Sequence, residues 1–319
     1  MERFSGKGFV KFGECDRINK PEFMIARLER AVLRAEKKQV VLEAYLTDDC
    51  PCAYDRDARK IIESSASSDF INEQIFSLQS GKSGSVELCN EDSGIRWASG
   101  GLMSIDRNGV ASLIYRDSAA PSYPGYFTIP SGLSAGKNEI LNPEKAIFRE
   151  GIEEITYIQD GEILVPDVMK KLSFSKDIVA NSLSRYFGKE CNYRIKKVKA
   201  SLEDNLPAKA VVYFNKEKIS ETRCILGIDP GTAGIDLLKI MYVDADFRSA
   251  VPFDTEVYKS KNGSYIPIDR EICLVDVQEL IESGIVKAEC FKGRKNIGTS
   301  DKEIKATPVL QSVIDYLKY

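Results

Sequence analysis

"LNPEKAIFREGIEEITYI" (Leu141–Ile158) sets three glutamates, Glu150, Glu153 and Glu154, on little more than one helical turn. Asn142 is a good N-cap and Pro143 suits the first helical position. Ala146, Ile147 and Ile155 can line one side, so the stretch is predicted to be a helix. On it Glu150 is i,i+3 from Glu153 and i,i+4 from Glu154, and the carboxylates converge near one edge. Each like-charge pair costs a few tenths of a kcal/mol. A divalent cation cancels that repulsion, and Mg²⁺ takes oxygen ligands while bridging to substrate phosphates. The plainer reading is a solvated face on which Arg149 pairs with Glu153.

Upstream, "WASGGLMSIDRNGVASLIYRD" (97–117) is two apolar runs around Asn108-Gly109, a strong hairpin signal. A loop with two prolines follows, then "YFTIPSGL" (126–133), a strand running into glycine. Downstream, strands are expected at "RCILGID" (223–229), "LLKIMYVDAD" (237–246) and "EICLVDV" (271–277). A short helix is expected at "QELIESG" and a C-terminal helix over 307–318. Before the hairpin, residues 19–37 read as a helix with Phe23, Ile25, Leu28, Val32 and Ala35 on one face. "QVVLEAYL" (39–46) reads as a strand. Helical stretches near 55–65 and 68–79 lead into the Gly/Ser-rich turn "QSGKSGS". Residues 1–92 therefore form a small α+β unit. Within 160–220, a helix is expected near 166–187.

The chain has 319 residues, 43 % apolar and 29 % charged, with net charge −3. That is an ordinary globular composition with no global field for nucleic acid or an anionic membrane. There is no secretory apolar region and no run near the roughly 20 apolar residues that span a bilayer. The cytosol is the expected location. Eight dispersed cysteines read as buried free thiols rather than a disulfide scaffold or a metal site. The chain has no histidine. Ser-His-Asp and Cys-His catalysis and His-ligated metals are thereby excluded within the chain.

The helix and its approach resemble the Nudix family, whose box is G-x5-E-x7-R-E-U-x-E-E-x-G-U, with U apolar. Gly132 stands for the leading glycine, and Arg149, Glu150, Glu153 and Glu154 fill R-E-x-x-E-E. The resemblance covers about 97–160 well and 220–290 loosely, and says nothing of 1–90. Several positions depart from the box. Ser131 precedes Gly132 where glycine is usual. Leu141 stands where the first glutamate falls, with Glu139 and Glu144 nearest and about two residues extra. Gly151 holds an apolar position, and Thr156 replaces the last glycine.

The resemblance implies an α/β fold: a Nudix-like α/β/α sandwich with a mixed sheet over 93–319, carrying an insertion at about 160–220. The unit 1–92 would shape the substrate pocket or a homodimer interface. It implies Mg²⁺-dependent (or Mn²⁺-dependent) hydrolysis of a nucleoside diphosphate linked to another group, with water attacking phosphorus. Glu150 and Glu154 would ligate the metal, with Glu153 direct or through water, and Arg149 would brace the helix. Gly132, Tyr126 and Arg116 would face substrate, and Tyr123 and Tyr126 beside Pro124 can stack a base. Glu271 and Glu221 are weak candidates for the catalytic base. A nucleotide-diphosphate small molecule is the expected partner, with capped RNA the one nucleic acid left open. The alternative is an inactive Nudix-like nucleotide sensor, favoured by the altered glycines and the shifted glutamate.

Three other motifs are read as structure. "ILGIDPGTAG" (225–234) looks like the metal-binding opening strand of Holliday-junction resolvases, which would make Asp229 a ligand. Too little chain follows, and Pro230-Gly231 reads as a type II turn. "SGKSGS" (80–85) lacks the P-loop's first glycine, because Phe76 is there. Arg194, Lys196, Lys197 and Lys199 alternate with Ile195 and Val198 as on the wet side of an edge strand.

Overall fold

Asn108-Gly109 turns the chain between strands Arg96–Asp106 and Val110–Tyr115 in the computed structural model. Gly109 adopts φ +78°, which a side chain would oppose. The buried Asp106 carboxylate fixes the turn. One oxygen accepts from the backbone amides of Asn108 and Val110, and the other from that of Phe247, each at 2.8 Å. The structure describes residues 10–17, 24–36, 39–54, 85–89, 96–118, 120, 122–168, 183–187, 194–229, 234–259, 262 and 265–318. The helices expected near 55–65 and 68–79, the turn at 79–84 and the Pro230-Gly231 turn lie outside them.

The fold is mixed α/β with strands predominating. Strands form where expected at Gln39–Leu46, Glu217–Asp229, Gly234–Val243 and Glu271–Asp276. Among the described residues, helices include α1 (Lys137–Leu141), α2 (Pro143–Glu153), α3 (Val277–Glu282) and α4 (Pro308–Leu317). Asp276 caps α3 by accepting from the amides of Gln278 and Glu279, and Thr307 caps α4 at Leu310. Of the helix expected near 166–187, Pro166 instead ends strand Glu162–Pro166, 167–168 form a 3-10 turn, and 183–187 are helical; 169–182 lie outside the described residues.

The helix expected over 19–37 is overturned. Its described part is two strands, Met24–Arg27 and Arg30–Glu36. Ala31, Val32 and Leu33 are buried in succession, as in a strand covered on both faces. The charges that suited a helix surface pair across strands instead: Arg30 with Glu87 at 3.1 Å and Arg34 with Glu43 at 2.8 Å. Tertiary pairing has overridden helix propensity here. The stretch 141–158 is also shorter in helix than expected. α2 ends at Glu153, Thr156 Oγ1 closes back on the Ile152 carbonyl at 2.8 Å, and Thr156–Gln159 is a strand. β-Branched and aromatic residues favour that change.

Contacts divide the chain into two units, each assembled from three stretches. The first takes Met1–Gly100, Gly132–Ile147 and Asp204–Leu238. Gln39–Leu46 pairs antiparallel with Arg30–Glu36 and parallel with Ala208–Phe214, where the Tyr45 and Tyr213 rings stack at 4.8 Å. The buried Trp97 indole donates to the Ile140 carbonyl of α1 at 3.0 Å. The second unit takes Gly101–Ser131, Phe148–Glu203 and Lys239–Tyr319. There Glu271–Asp276 lies between Val110–Tyr115 and Ile285–Lys292, with Lys295–Glu303 beyond. A four-stranded sheet runs Arg194–Val198, Glu162–Pro166, Thr156–Gln159, Val251–Phe253. Arg194–Val198 is thus an edge strand, as expected. Its apolar residues are not both buried: Ile195 is 52 % exposed, and Val198 is covered.

Cys15, Cys50, Cys52 and Cys224 are buried thiols outside any disulfide, as expected. Cys273 and Cys290 are not: they face each other on paired strands and form a disulfide. No helix among the described residues is long and apolar enough to cross a membrane.

Gly151, which breaks the apolar pattern of α2, has a packing reason. A Cβ there would lie 2.5 Å from Leu102 Cδ2 and 2.8 Å from its Cβ, and Leu102 is fully buried. Alanine is the better helix former by about 1 kcal/mol, yet overpacking typically costs about 1–3 kcal/mol. Gly151→Ala is expected to lower stability in urea unfolding, and to lower it less in a Leu102→Ala background, where the Cδ2 contact is gone and only the Cβ contact remains.

Candidate metal centre

Glu150 and Glu154 lie one helical turn apart at the end of α2, joined by the Glu154 amide donating to the Glu150 carbonyl at 3.0 Å. Both side chains are buried, and Glu154 Oε2 accepts from the Ser131 amide at 2.6 Å. Glu153 leaves the helix on another side. Arg149 binds it at 2.8 Å and Glu150 at 2.7 Å, so that guanidinium braces the helix end.

The remaining acids come from the segment after strand Val251–Phe253. The Thr255 amide and hydroxyl both donate to the Glu153 carbonyl, at 2.9 and 2.7 Å. Asp254 Oδ1 accepts from the Glu256 amide at 2.8 Å, a local turn that aims Glu256 at the helix. As a result, carboxylate oxygens of Glu150, Glu154 and Glu256 lie within 4.8 Å of one another. Asp254 is 3 % exposed, and its Oδ2 has no hydrogen-bond donor. Arg270 enters from the loop before Glu271–Asp276. Its Nη1 contacts Glu154 Oε1 and lies 3.5 Å from Asp254 Oδ2, while Nη2 contacts Glu256 Oε2.

The electrostatics follow from burying so many acids together. Burial, then the like charges of Glu154, Glu256 and Glu153, hold Glu150 well above the usual carboxylate range despite Arg149. Burial pushes Glu154 up to about 7, with Glu256 adding to the rise and Arg270, the Ser131 amide and Arg116 opposing it. Asp254 is raised by burial and by Glu256 and Glu154, against Arg270. Burial alone would lower Arg270, but Glu154, Glu256, Asp254 and Glu150 together raise it.

Of the residues expected from sequence, Glu150 and Glu154 meet in the cluster, with Arg149 and Glu153 at its flank. Arg116 is near enough for Glu154 to sense its charge, although its side chain also binds Ser122 at 2.8 Å. Tyr126 is exposed, its ring 5.7 Å from that of Tyr123, and its carbonyl accepts from the Arg116 amide. Gly132 follows Ser131 in the short strand Ser131–Leu133. Glu271 stands apart, beside Cys273 and 3.4 Å from Lys302. Glu221 belongs to the first unit and pairs with Lys209 and Lys218.

Asp254, Glu256 and Arg270 did not stand out in the sequence. The only signal for Asp254 and Glu256 is "FDTEVY", two acids either side of a threonine after a short apolar run, in a chain where 29 % of residues are charged. All ligating atoms offered are carboxylate oxygens, the donor set of hard divalent cations and not of thiophilic metals. Comparisons with family models, with curated proteins and with solved structures gave no match.

Thr255 is buried, and its hydroxyl supplies one of the two bonds that hold this segment on α2. Thr255→Val is expected to lower stability by about 1 kcal/mol in chemical denaturation. Thr255→Ser, which keeps the hydroxyl, should lose much less.

Proposed function

We propose that this chain is a hydrolase of Nudix type that cleaves the phosphoanhydride of a nucleoside diphosphate linked to another group, with Mg²⁺ or Mn²⁺ as cofactor. The observation that carries the reading is the convergence of Glu150, Glu154 and Glu256 within 4.8 Å, backed by the unsatisfied Asp254 Oδ2. Such a set fits a hard cation that keeps part of its water shell. The order of hairpin, glycine loop, α2, and later strand Glu271–Asp276 with helix α3 supports a Nudix-like sandwich as the finer description of the α/β fold.

In this reading Glu150, Glu154 and Glu256 hold the cation. When bound, it supplies charge neutralisation at the diphosphate and a more acidic attacking water. Glu153 and Arg149 keep the end of α2 rigid, and the Ser131 amide orients Glu154. Burial keeps bulk water from screening these charges, which strengthens each of them. Glu256 is the least buried of the cluster acids, so it is the one that water reaches most readily for activation, in preference to Glu271 or Glu221. Arg116 carries positive charge toward the site for a phosphate, and Tyr126 beside Tyr123 offers an exposed ring for a base.

One observation favours a second reading, a nucleotide-binding module without turnover. Arg270 already neutralises the carboxylates from within the chain. Incubation with a panel of nucleoside-diphosphate compounds and Mg²⁺ separates the two. Turnover is expected in the parent chain. Glu154→Gln and Glu256→Gln are expected to lose more than the roughly 10–100-fold that loss of an outer-shell partner costs. Tight nucleotide binding with no turnover in any of the three would establish the module instead.

A further inference from the structure

Arg270 occupies the centre toward which the acids point. Its two terminal nitrogens contact different carboxylates, Glu154 Oε1 through Nη1 and Glu256 Oε2 through Nη2. These belong to two of the three residues whose oxygens converge. A divalent ion of magnesium's size needs ligand oxygens at about 2.0–2.1 Å in near-octahedral array. Oxygens committed to a guanidinium fork cannot also close on such an ion, and two cations confined there repel each other.

We propose that Arg270 is a tethered counter-cation, and that a divalent metal and this guanidinium compete for the same carboxylates. The inference rests on the metal reading above and adds the residue that sets the affinity of that site. Arg270 holds the buried acids in register in the metal-free chain, and it moves out when a metal enters.

Three further features support displacement over permanent pairing. Asp254 Oδ2 remains without a hydrogen bond although Arg270 Nη1 is 3.5 Å away, so the guanidinium leaves one buried acceptor unsatisfied that a metal or its water would satisfy. Arg270 has the most accessible side chain of the group, 28 % exposed against 8 % for Glu154, 1 % for Asp254 and 22 % for Glu256, and so has a way out to solvent. It also sits in the loop between strands Tyr265–Pro267 and Glu271–Asp276, next to Asp269 at φ +48°, rather than inside a regular element. Glu150 is held separately by Arg149 at 2.7 Å and does not depend on Arg270 for its position.

The test is Mn²⁺ binding, followed by electron paramagnetic resonance of the free ion, in the parent chain and in Arg270→Met. Competition predicts roughly tenfold tighter Mn²⁺ binding in the variant, within the usual range for coupling between two ligands. Unchanged or weaker binding overturns the proposal, while Mn²⁺ binding by the parent leaves the metal reading standing. Absence of Mn²⁺ binding in both chains overturns the two together. Because the variant leaves buried acids uncompensated and can fail to fold, a second measurement uses the parent alone. Phenylglyoxal modification of Arg270, read by mass spectrometry, is expected to speed up severalfold when Mn²⁺ is added. No change, or protection, overturns the proposal.

Discussion

The carbonyl of Glu153 accepts two hydrogen bonds from Thr255, at 2.9 and 2.7 Å, and the rest of the site depends on them. Neither bond uses a carboxylate. The bonds join the end of α2 to a segment that follows an edge strand, and they set the side chains on either side of Thr255. Asp254 turns inward and is buried, and Glu256 is aimed at Glu150 and Glu154 by the bond from its amide to Asp254. A helix end alone would present two acids one turn apart. The added segment makes a concave cluster with an inner acid behind it.

That cluster is costly to assemble. Burial raises Glu150, Glu154 and Asp254, and each also feels the others' charge. Two guanidiniums offset this: Arg149 binds Glu150 and Glu153 along the helix, and Arg270 reaches Glu154 and Glu256 from the loop before Glu271–Asp276. Removing one member of such a buried set is strongly destabilising because it strands the partner's charge. The arrangement therefore has the two properties a cation site needs, acids held in place beforehand and a residual deficit of positive charge.

Much of the scaffold was readable from local chemistry. Asn108-Gly109 announced its hairpin, because a turn with positive φ leaves few residue choices. Pro143 announced the start of α2, and the spacing of Glu150 and Glu154 announced a shared edge. Residues 24–36 misled because apolar positions at helical intervals also suit a strand covered on both faces, and their arginines found acids on neighbouring strands that no local pattern reveals. Gly151 looked like a defect until Leu102 explained it. Half of the site was invisible for a related reason. Asp254, Glu256 and Arg270 lie about a hundred residues from the helix, and only the bonds from Thr255 bring them there. Cys273 and Cys290 likewise become neighbours through strand register alone.

The interleaving of the second unit bears on how the protein is made. Its stretches end at Ser131, Glu203 and Tyr319, and its acid cluster draws on both the helix at 150 and the loop at 270. On the ribosome, α2 leaves the exit tunnel long before Arg270 is translated. Through that interval the nascent chain carries Glu150 and Glu154 without the Arg270 guanidinium and without Glu256, which arrive later. Water serves them in the meantime, so an acidic helix end is a tolerable thing to leave waiting, where an apolar one would invite aggregation.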